Sequence, residues 1–272
     1  QEIIGFPSGS SICLYGSRFY IAGDDATSIL ILDENFQELD RISLFEGEIT
    51  QRIPKAVKAD IESSAIVTQG KVEQIWFFGS GSLSPYRDSV YRLTPATKEV
   101  SGTSFEPFFR SLRESGISEP NIEAAATLGN KLLLGLRGNL SSPKNYLIVS
   151  DSGVTQSGKI MEVITPQKNI GISGMDYSKQ LNMLFITSSS EETHSGYDDG
   201  AIGESFLAIV ENATDLLQEE KLEISSLIKL SEISPELKEQ KIEGVSFIES
   251  NRQIILVSDD DQGGTRIFRL EI

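Results

Sequence analysis

The chain has 272 residues, of which 39% are hydrophobic, so it is long enough for one large domain with a substantial core. Its 40 acidic residues outnumber its 24 basic ones, which sets the formal net charge at -16. This excess of negative charge opposes binding to nucleic acid or to an anionic membrane surface, and no run of Lys and Arg offsets it. Because no stretch of 18 apolar residues occurs, we expect no insertion into a membrane.

A short motif recurs along the chain and predicts a repeat architecture. It consists of an apolar residue, a carboxylate and small residues, and one copy has Ser173 in place of the carboxylate. The copies are Asp60–Ala65, Asn121–Ala126, Lys241–Ser246, the variant Gly171–Asp176 and the weakest, Ser10–Leu14. Small residues suit strands that crowd together at the axis of a ring.

Each motif is followed by further short apolar runs that are bounded by turn residues, a pattern typical of strands. The second strands are predicted at Arg18–Ala22, Gln74–Phe78, Lys131–Gly135, Met183–Thr187 and Gln253–Val257. The third strands are predicted at Ser28–Leu32, Ser89–Leu93, Asn145–Val149, Ser205–Val210 and Thr265–Leu270. Fourth strands are predicted in four repeats, at Glu38–Leu44, Lys98–Ser104, Lys159–Ile164 and Lys221–Ile228.

Four-stranded antiparallel units of this length predict an all-β fold, a five-bladed β-propeller. The last repeat lacks a fourth strand, and we expect Gln1–Phe6 to supply it and close the ring. The whole chain is then a single domain with repeats at approximately 9–48, 55–116, 118–165, 169–240 and 241–272 plus 1–6. Two short helical insertions interrupt the strands, one within Phe105–Gly116 and one from about Ser234.

The ring geometry predicts where polar side chains meet. Inner strands all run the same way, so their first residues gather at one mouth together with the last residues of the second strands. We expect Glu62, Glu123, Arg137 and Glu243 to form a ligand-binding site at this mouth. We expect Asp24, Asp25, Asp259 and Asp260 to bind Ca2+ there, because calcium prefers oxygen ligands.

Each of these residues has a plainer alternative. The glutamates could accept hydrogen bonds from backbone N–H groups of the next blade and so fasten the ring. The run Asp259–Asp261 could be a solvated turn, since Asp favours turns. Cys13 is expected to be a small core residue and His194 an exposed loop residue, and with one of each no zinc site of several His or Cys ligands can form.

The motif copies, with Leu133–Gly138 and Ile255–Asp260, resemble the phytase-like and SdiA-regulated β-propellers of bacteria. That family carries an Ile-Glu-Gly-Leu-Ala type strand in each blade. The resemblance implies an exported protein, periplasmic or extracellular, with Glu62, Glu123, Glu243, Arg137, Asp259 and Asp260 at matching positions. Ser173 departs from the pattern, and the basic cluster that a polyphosphate substrate needs is thin.

Three functions follow as hypotheses. The first is an exported binding propeller whose funnel mouth takes Ca2+ or a small polar or anionic ligand. The second is a Ca2+-dependent phosphoester or ester hydrolase, in which the metal activates water. The third is a protein-interaction scaffold that uses the helices at the rim.

Overall fold

Five sheets, antiparallel except for one parallel pair, are arranged in a ring, so the protein is a five-bladed β-propeller. The computed structural model describes residues 1–45, 52–151, 156–190, 203–259 and 263–271. The innermost strand of each sheet contacts the innermost strands of both neighbouring sheets, and that of the last blade contacts that of the first. The prediction of the fold class is confirmed.

The strands and helices follow the repeat. Those up to the second blade are β1 (Glu2–Ile3), β2 (Gly9–Tyr15), β3 (Arg18–Gly23), β4 (Ser28–Leu32), β5 (Glu38–Ser43), β6 (Ile61–Gln69), β7 (Val72–Gly79), β8 (Ser89–Thr94), β9 (Glu99–Ser104) and α1 (Glu106–Glu114). The remainder are β10 (Ile122–Leu128), β11 (Lys131–Leu136), β12 (Asn145–Asp151), β13 (Lys159–Ile164), β14 (Ile170–Ser178), β15 (Met183–Ser190), β16 (Ser205–Glu211), β17 (Lys221–Glu223), β18 (Ile228–Lys229), α2 (Leu230–Ile233), β19 (Lys241–Ile248), β20 (Gln253–Asp259) and β21 (Thr265–Glu271).

The N-terminal strand closes the ring, as the missing strand of the last repeat predicted. β1 pairs antiparallel with β21, with Glu2 opposite Arg266 and Ile3 opposite Thr265. A second link joins the same two blades, because the Thr265 hydroxyl accepts a hydrogen bond from the Gly9 N–H at 2.8 Å. The N-terminal strand is therefore the outer strand of the last blade, and the Gly9–Thr265 hydrogen bond links that blade to the inner strand of the first.

The prediction of one continuous strand at Lys221–Ile228 is wrong, because this segment contains two separate strands. Residues 221–223 leave the fourth blade and pair in parallel with β13 of the third blade, and only β18 pairs with β16 of the fourth. The third blade therefore has five strands. Leu222 explains the exchange, because its buried side chain packs with Met161 and Val163 and covers the outer strand of the third blade.

The two helical insertions are short, as predicted, but the second begins earlier than Ser234. It is the single turn α2, after which Ser234 caps a 3-10 turn at Pro235–Leu237. The first insertion, α1, buries Phe108, Phe109 and Leu112 in a cluster with Trp76 and Phe78. No helix within the described ranges is long and apolar enough to cross a membrane.

Every inner strand carries a β-bulge at the same place. The register of the innermost strand pair shifts at one residue in each blade, namely Ser10, Glu62, Glu123, Ser173 and Glu243. A bulge re-aims a side chain relative to the regular alternation of a strand. The repeat position that is serine in some blades and glutamate in others is thus the bulged residue. Its side chain departs from the regular alternation of the strand.

Small residues follow the bulge because the inner strands are close together. A Cβ atom added to Gly174 would lie 2.9 Å from the Gly244 Cα, and one added to Gly244 would lie 3.2 Å from the Ile12 backbone nitrogen. These three residues belong to different blades. The expectation that small residues mark the crowded axis of the ring is confirmed.

Candidate functional site: the carboxylate mouth

The three glutamates of the repeat converge on the axis. Glu62, Glu123 and Glu243 line one narrow central space of about 10 Å³, which has room for roughly one water molecule. We call the end of the channel that holds these glutamates, Asp60 and Asp24 the carboxylate mouth. The glutamates occupy equivalent places in blades two, three and five, as the repeat predicted, whereas their role in binding stays a prediction.

A polar residue two positions before each glutamate contributes to the same site. Asn121 donates a hydrogen bond to Glu123 Oε1 at 2.7 Å. The Lys241 Nζ lies 3.1 Å from Glu243 Oε1. Asp60 stands in the corresponding place before Glu62, so the glutamates differ in the charge of their nearest partner.

Asp60 is the centre of a buried polar network. The Arg87 Nη1 lies 2.7 Å from Asp60 Oδ2, and the Ser80 hydroxyl donates to the same oxygen. The Lys58 Nζ lies 2.8 Å from Asp60 Oδ1 and also donates to Asp24 Oδ2. Asp60 has a left-handed backbone with a φ of 54°, a conformation that Asp tolerates better than most residues. Both of its carboxylate oxygens therefore have charged partners.

The acidic residues nearest to one another are Asp24, Asp60 and Glu62, each of which offers an oxygen within 4.8 Å of the others. Such a group of oxygens suits a hard cation in principle. The ammonium group of Lys58, however, already binds Asp24 and Asp60. The chain thus supplies its own cation to this group, and a metal ion would have to displace Lys58.

The electrostatics of the mouth favour a protonated Glu62. Burial raises the pKa of Glu62 well above its ordinary value, and the nearby carboxylates of Asp60, Glu123 and Asp24 raise it further. Lys58 opposes this effect. Burial likewise raises the pKa of Asp24 to about 6, against the attraction of Lys58. Glu62 makes no hydrogen bond or ion pair within the described part of the chain, which leaves its carboxyl oxygens to a ligand.

The other predicted residues lie around this centre. The Arg137 Nη1 lies 3.6 Å from Glu123 Oε2, and its Nη2 donates to the Ser189 hydroxyl at 3.0 Å. Asp25 binds the Arg52 guanidinium at 2.6 Å. Asp259 is buried at the end of β20 and is close enough to Arg52 to raise its pKa.

Asp260 lies outside the described residues, so the predicted calcium site of Asp24, Asp25, Asp259 and Asp260 stays a prediction. His194 lies outside them as well. Cys13 is a buried free cysteine, in agreement with its predicted place in the core.

Two serines at the bulge form hydrogen bonds to the next blade, the structural role that the alternative interpretation assigned to the glutamates. The Ser173 hydroxyl donates to the Ile242 carbonyl of the next blade at 2.6 Å, and the Ser10 hydroxyl donates in the same way to the Ile61 carbonyl. Glu243, in contrast, pairs with Lys241 on its own strand, and its other oxygen, Oε2, is buried without a hydrogen-bond partner among the described residues. Serine at the bulge therefore binds the next blade, whereas Glu243 at the bulge binds a residue of its own strand.

Sequence reasoning missed Lys58, Arg87 and Asp60 as members of the site. Asp60 was within reach, because it belongs to the motif and lies two residues before Glu62. Lys58 and Arg87 precede β6 and β8 in irregular segments, where no periodicity indicates the direction of a side chain. The positions of their side chains depend on how loops that are separate along the chain meet at the mouth.

Acceptors without donors are concentrated here. Asp24 Oδ1, Asn121 Oδ1 and Glu243 Oε2 are buried oxygens with no hydrogen-bond partner among the described residues. A buried acceptor that lacks a donor costs roughly 1–3 kcal/mol. A ligand that brings O–H or N–H groups to these oxygens would recover that free energy.

Comparison with known proteins places the chain in a family. Residues 5–272 match the model of a family of unknown function (DUF6929). The chain belongs to this family. No curated protein matches the sequence. These comparisons do not support the resemblance to phytase-like and SdiA-regulated propellers. Only the β-propeller fold that it implied is confirmed.

Several solved structures have a similar fold. The glutaminyl cyclase of Myxococcus xanthus has a TM-score of 0.55 at 10% identity, with 98% of this chain and 93% of that chain covered. The native arabinanase Arb43A of Bacillus subtilis has a TM-score of 0.53 at 9% identity over 100% and 96% of the two chains. The α-L-arabinanase of Cellvibrio cellulosa has a TM-score of 0.54 at 9% identity over 98% and 91%. At such identities the similarity of this DUF6929 member to them shows the fold alone.

Proposed function

We propose that this protein is a binding propeller whose carboxylate mouth takes a small, neutral, polyhydroxylated ligand. The observation that carries the proposal is the set of buried acceptors, Asp24 Oδ1, Asn121 Oδ1 and Glu243 Oε2, that face no donor among the described residues. Hydroxyl groups are the donors that fit them at least cost, because a neutral ligand brings no charge that must be stripped of water.

Charge balance favours the same class of ligand. Arg137 pairs with Glu123, Lys241 with Glu243, and Lys58 with Asp24 and Asp60. An anionic ligand would have to break one of these pairs to obtain a cation. A protonated Glu62 adds one donor to a site of acceptors, and hydroxyl groups can both donate and accept.

The test is binding of simple sugars and polyols, namely D-galactose, L-arabinose, D-glucose and myo-inositol, measured by saturation-transfer NMR and thermal melting. We expect at least one of them to bind and the E243Q variant to bind it at least tenfold more weakly. The E223Q variant, which removes the same charge from an exposed outer strand, should bind as the parent does. Absence of binding by all four, or equal binding by parent and E243Q, would contradict the proposal.

Calcium at Asp24, Asp25, Asp259 and Asp260 remains a separate proposal. Two of these carboxylates already bind Lys58 and Arg52, so the ion would have to displace a cation of the chain. Melting of chelator-treated protein with added Ca2+ tests it, because an ion that binds only the folded state raises the melting temperature. A shift that disappears in the D259N/D260N variant supports the site, and an unchanged parent melting temperature rejects it.

Hydrolysis of a glycosidic bond is a second candidate, favoured by Glu62. A carboxyl group that is protonated can donate its proton to a leaving glycosidic oxygen while a second acidic residue takes a proton from the attacking water; Glu62 and Glu243 are the pair at this mouth. Two of the solved structures of similar fold are arabinanases. Release of 4-nitrophenol from 4-nitrophenyl α-L-arabinofuranoside and β-D-galactopyranoside by the parent, lost in E62Q, would support this candidate. A parent that releases none from either would count against it.

A further inference from the structure

The opposite end of the channel holds a second cavity. Its volume is about 400 Å³, within the range of small-molecule sites. All five blades contribute the second half of their inner strands to it. We call this cavity the far mouth, and the segments that line it are 12–14, 64–66, 125–127, 175–177 and 246–250, with Gly16, Phe19 and Glu34.

The far mouth is separate from the carboxylate mouth. The three glutamates form the inner end of the carboxylate mouth, and the narrow space of about 10 Å³ between them separates it from the far mouth. This space and the far mouth share wall residues such as Ile12, Ser64 and Met175. A molecule larger than water could not pass through a neck of this size without movement of the strands. A ligand at the far mouth is therefore distinct from one bound by Glu243.

The charges of the two mouths differ. The carboxylate mouth pairs its acids with Lys and Arg, whereas the ionisable carboxyl groups that line the far mouth are Asp176, Glu34 and Glu249, and no Lys, Arg or His is among the described lining residues. Glu249 accepts hydrogen bonds from the Ser178 hydroxyl at 2.9 Å. The far mouth is thus an acidic cavity without a counter-ion of its own.

Asp176 is fixed in place at this cavity. Its Oδ1 accepts the Tyr177 N–H at 2.8 Å, and its Oδ2 accepts the Phe247 N–H of the next blade at 2.7 Å. Burial raises the pKa of Asp176 to about 6, so the group is mostly ionised at pH 7.5. Asp176 Oδ2 also accepts the Ser246 hydroxyl at 3.3 Å, so Oδ1 is the oxygen whose second lone pair can accept from a ligand.

The remaining wall combines apolar and unpaired polar groups. Ile12, Met175 and Phe247 line the cavity as nearly buried apolar side chains. Ser64 lines the cavity, and its hydroxyl is buried with no hydrogen-bond partner among the described residues. The unpaired hydroxyl can accept an N–H. Together these walls suit a molecule that has one positive polar end and an apolar body.

We propose that the far mouth binds a small organic cation, an ammonium group attached to an apolar body, with Asp176 as its counter-ion. The apolar body lies against the inner-strand side chains, and the ammonium group donates to Asp176 and Ser64. The chain's net charge of -16 adds a field that attracts cations to either mouth, so selectivity for the far mouth comes from the absence of a resident cation among its lining residues.

The experiment compares three probes of similar shape at pH 7.5, phenethylammonium, 2-phenylethanol and 3-phenylpropanoate, by saturation-transfer NMR on the whole chain. We expect phenethylammonium to bind at least tenfold more tightly than 2-phenylethanol, and 3-phenylpropanoate not to bind. Equal binding of the cation and the alcohol, or binding of neither, would overturn the proposal without the use of any variant.

Variants locate the site. D176N should lose the tenfold preference for the cation, whereas D151N, which removes an exposed carboxylate at the end of β12, should keep it. Because Asp176 also joins two blades, a second variant is needed if D176N fails to fold. Ser250 is exposed at the rim, and S250K adds a tethered ammonium group there that should weaken phenethylammonium binding. A folded D176N or S250K protein with parental cation affinity would place the binding elsewhere and refute the assignment.

Discussion

Lys58 is the residue that allows several carboxylates to be close together at the mouth. Its ammonium group is buried and binds Asp24 and Asp60, while Glu62 lies next to them. Burial opposes its charge, but the carboxylates of Asp60, Asp24 and Glu62 raise the pKa of Lys58 above its usual value. It is therefore a permanent cation of the site.

Removal of Lys58 should destabilise the fold and open a place for a metal ion. We expect K58M to lower the free energy of unfolding by about 3–5 kcal/mol, because it leaves buried carboxylates without their partner. Added Ca2+ should then raise the melting temperature of K58M more than that of the parent. The exposed K71M variant is the control, and a K58M protein as stable as the parent would show that Lys58 is not the counter-ion.

Glu62 should make stability depend on pH. Between its ordinary pKa of 4.5 and its raised folded value, the folded state holds a proton that the unfolded state has lost. The contribution of Glu62 to stability is therefore complete below pH 4.5 and is lost as pH rises through the folded pKa. We expect the free energy of unfolding of E62Q to fall less steeply above pH 4.5 than that of the parent in urea titrations. An identical slope in the two proteins, with the exposed E211Q as reference, would contradict the raised pKa.

At the scale of elements, the β-bulge of the inner strand is the unit that builds the site. It recurs in all five blades and presents either a serine that binds the next blade or a glutamate that faces the axis. Stability and binding chemistry are thus divided between blades at one structural position. Blades one and four fasten the ring, and blades two, three and five supply the acids.

This division predicts unequal effects of serine substitution. S173A removes the hydroxyl that donates to the Ile242 carbonyl and should lower the free energy of unfolding by about 1–3 kcal/mol, since a buried carbonyl loses that donor. Ser63 is also buried beside a bulge, but its hydroxyl has no partner among the described residues. S63A should therefore have little effect. Equal losses in the two variants, measured by chemical denaturation, would show that the inter-blade bond is not what stabilises the ring.

At the scale of the whole molecule, stability depends on closure of the ring. The first six residues pair β1 with β21 and bury Ile3 and Phe6 in the cluster shared by the first and last blades. Burial of two such side chains contributes about 3–6 kcal/mol. Closure joins residues at the two ends of the chain, so every blade depends on it.

Deletion of residues 1–6 should therefore destabilise the whole ring. We expect a loss of about 3–6 kcal/mol from the two side chains alone, seen as a single cooperative shift of the urea unfolding midpoint. F6A should produce part of the same loss, and I4S, at an exposed position, should produce almost none. A truncated protein with the parental midpoint would mean that the closing strand is dispensable.

Much of this architecture was available from local sequence patterns. The alternation of short apolar runs and turn residues, the recurrent Ile-Glu-small motif and the missing strand of the last repeat predicted five blades and their closure, because period and strand length are local properties. The convergence of Glu62, Glu123 and Glu243 followed from the repeat itself, since equivalent residues of equivalent blades meet at the axis.

Tertiary structure decided what those residues can do. The pKa values of Glu62 and Asp24 depend on burial and on Lys58, and Lys58 comes from an irregular segment whose path no periodicity fixes. The move of β17 to the third blade depended on which exposed edge and apolar surface lay within reach of Leu222. The far mouth could not be predicted from the sequence, because it is formed by the ends of five strands that are distant along the chain. Patterns within a strand are set by the backbone, whereas pKa values, ion pairs and cavities are set by distances between strands.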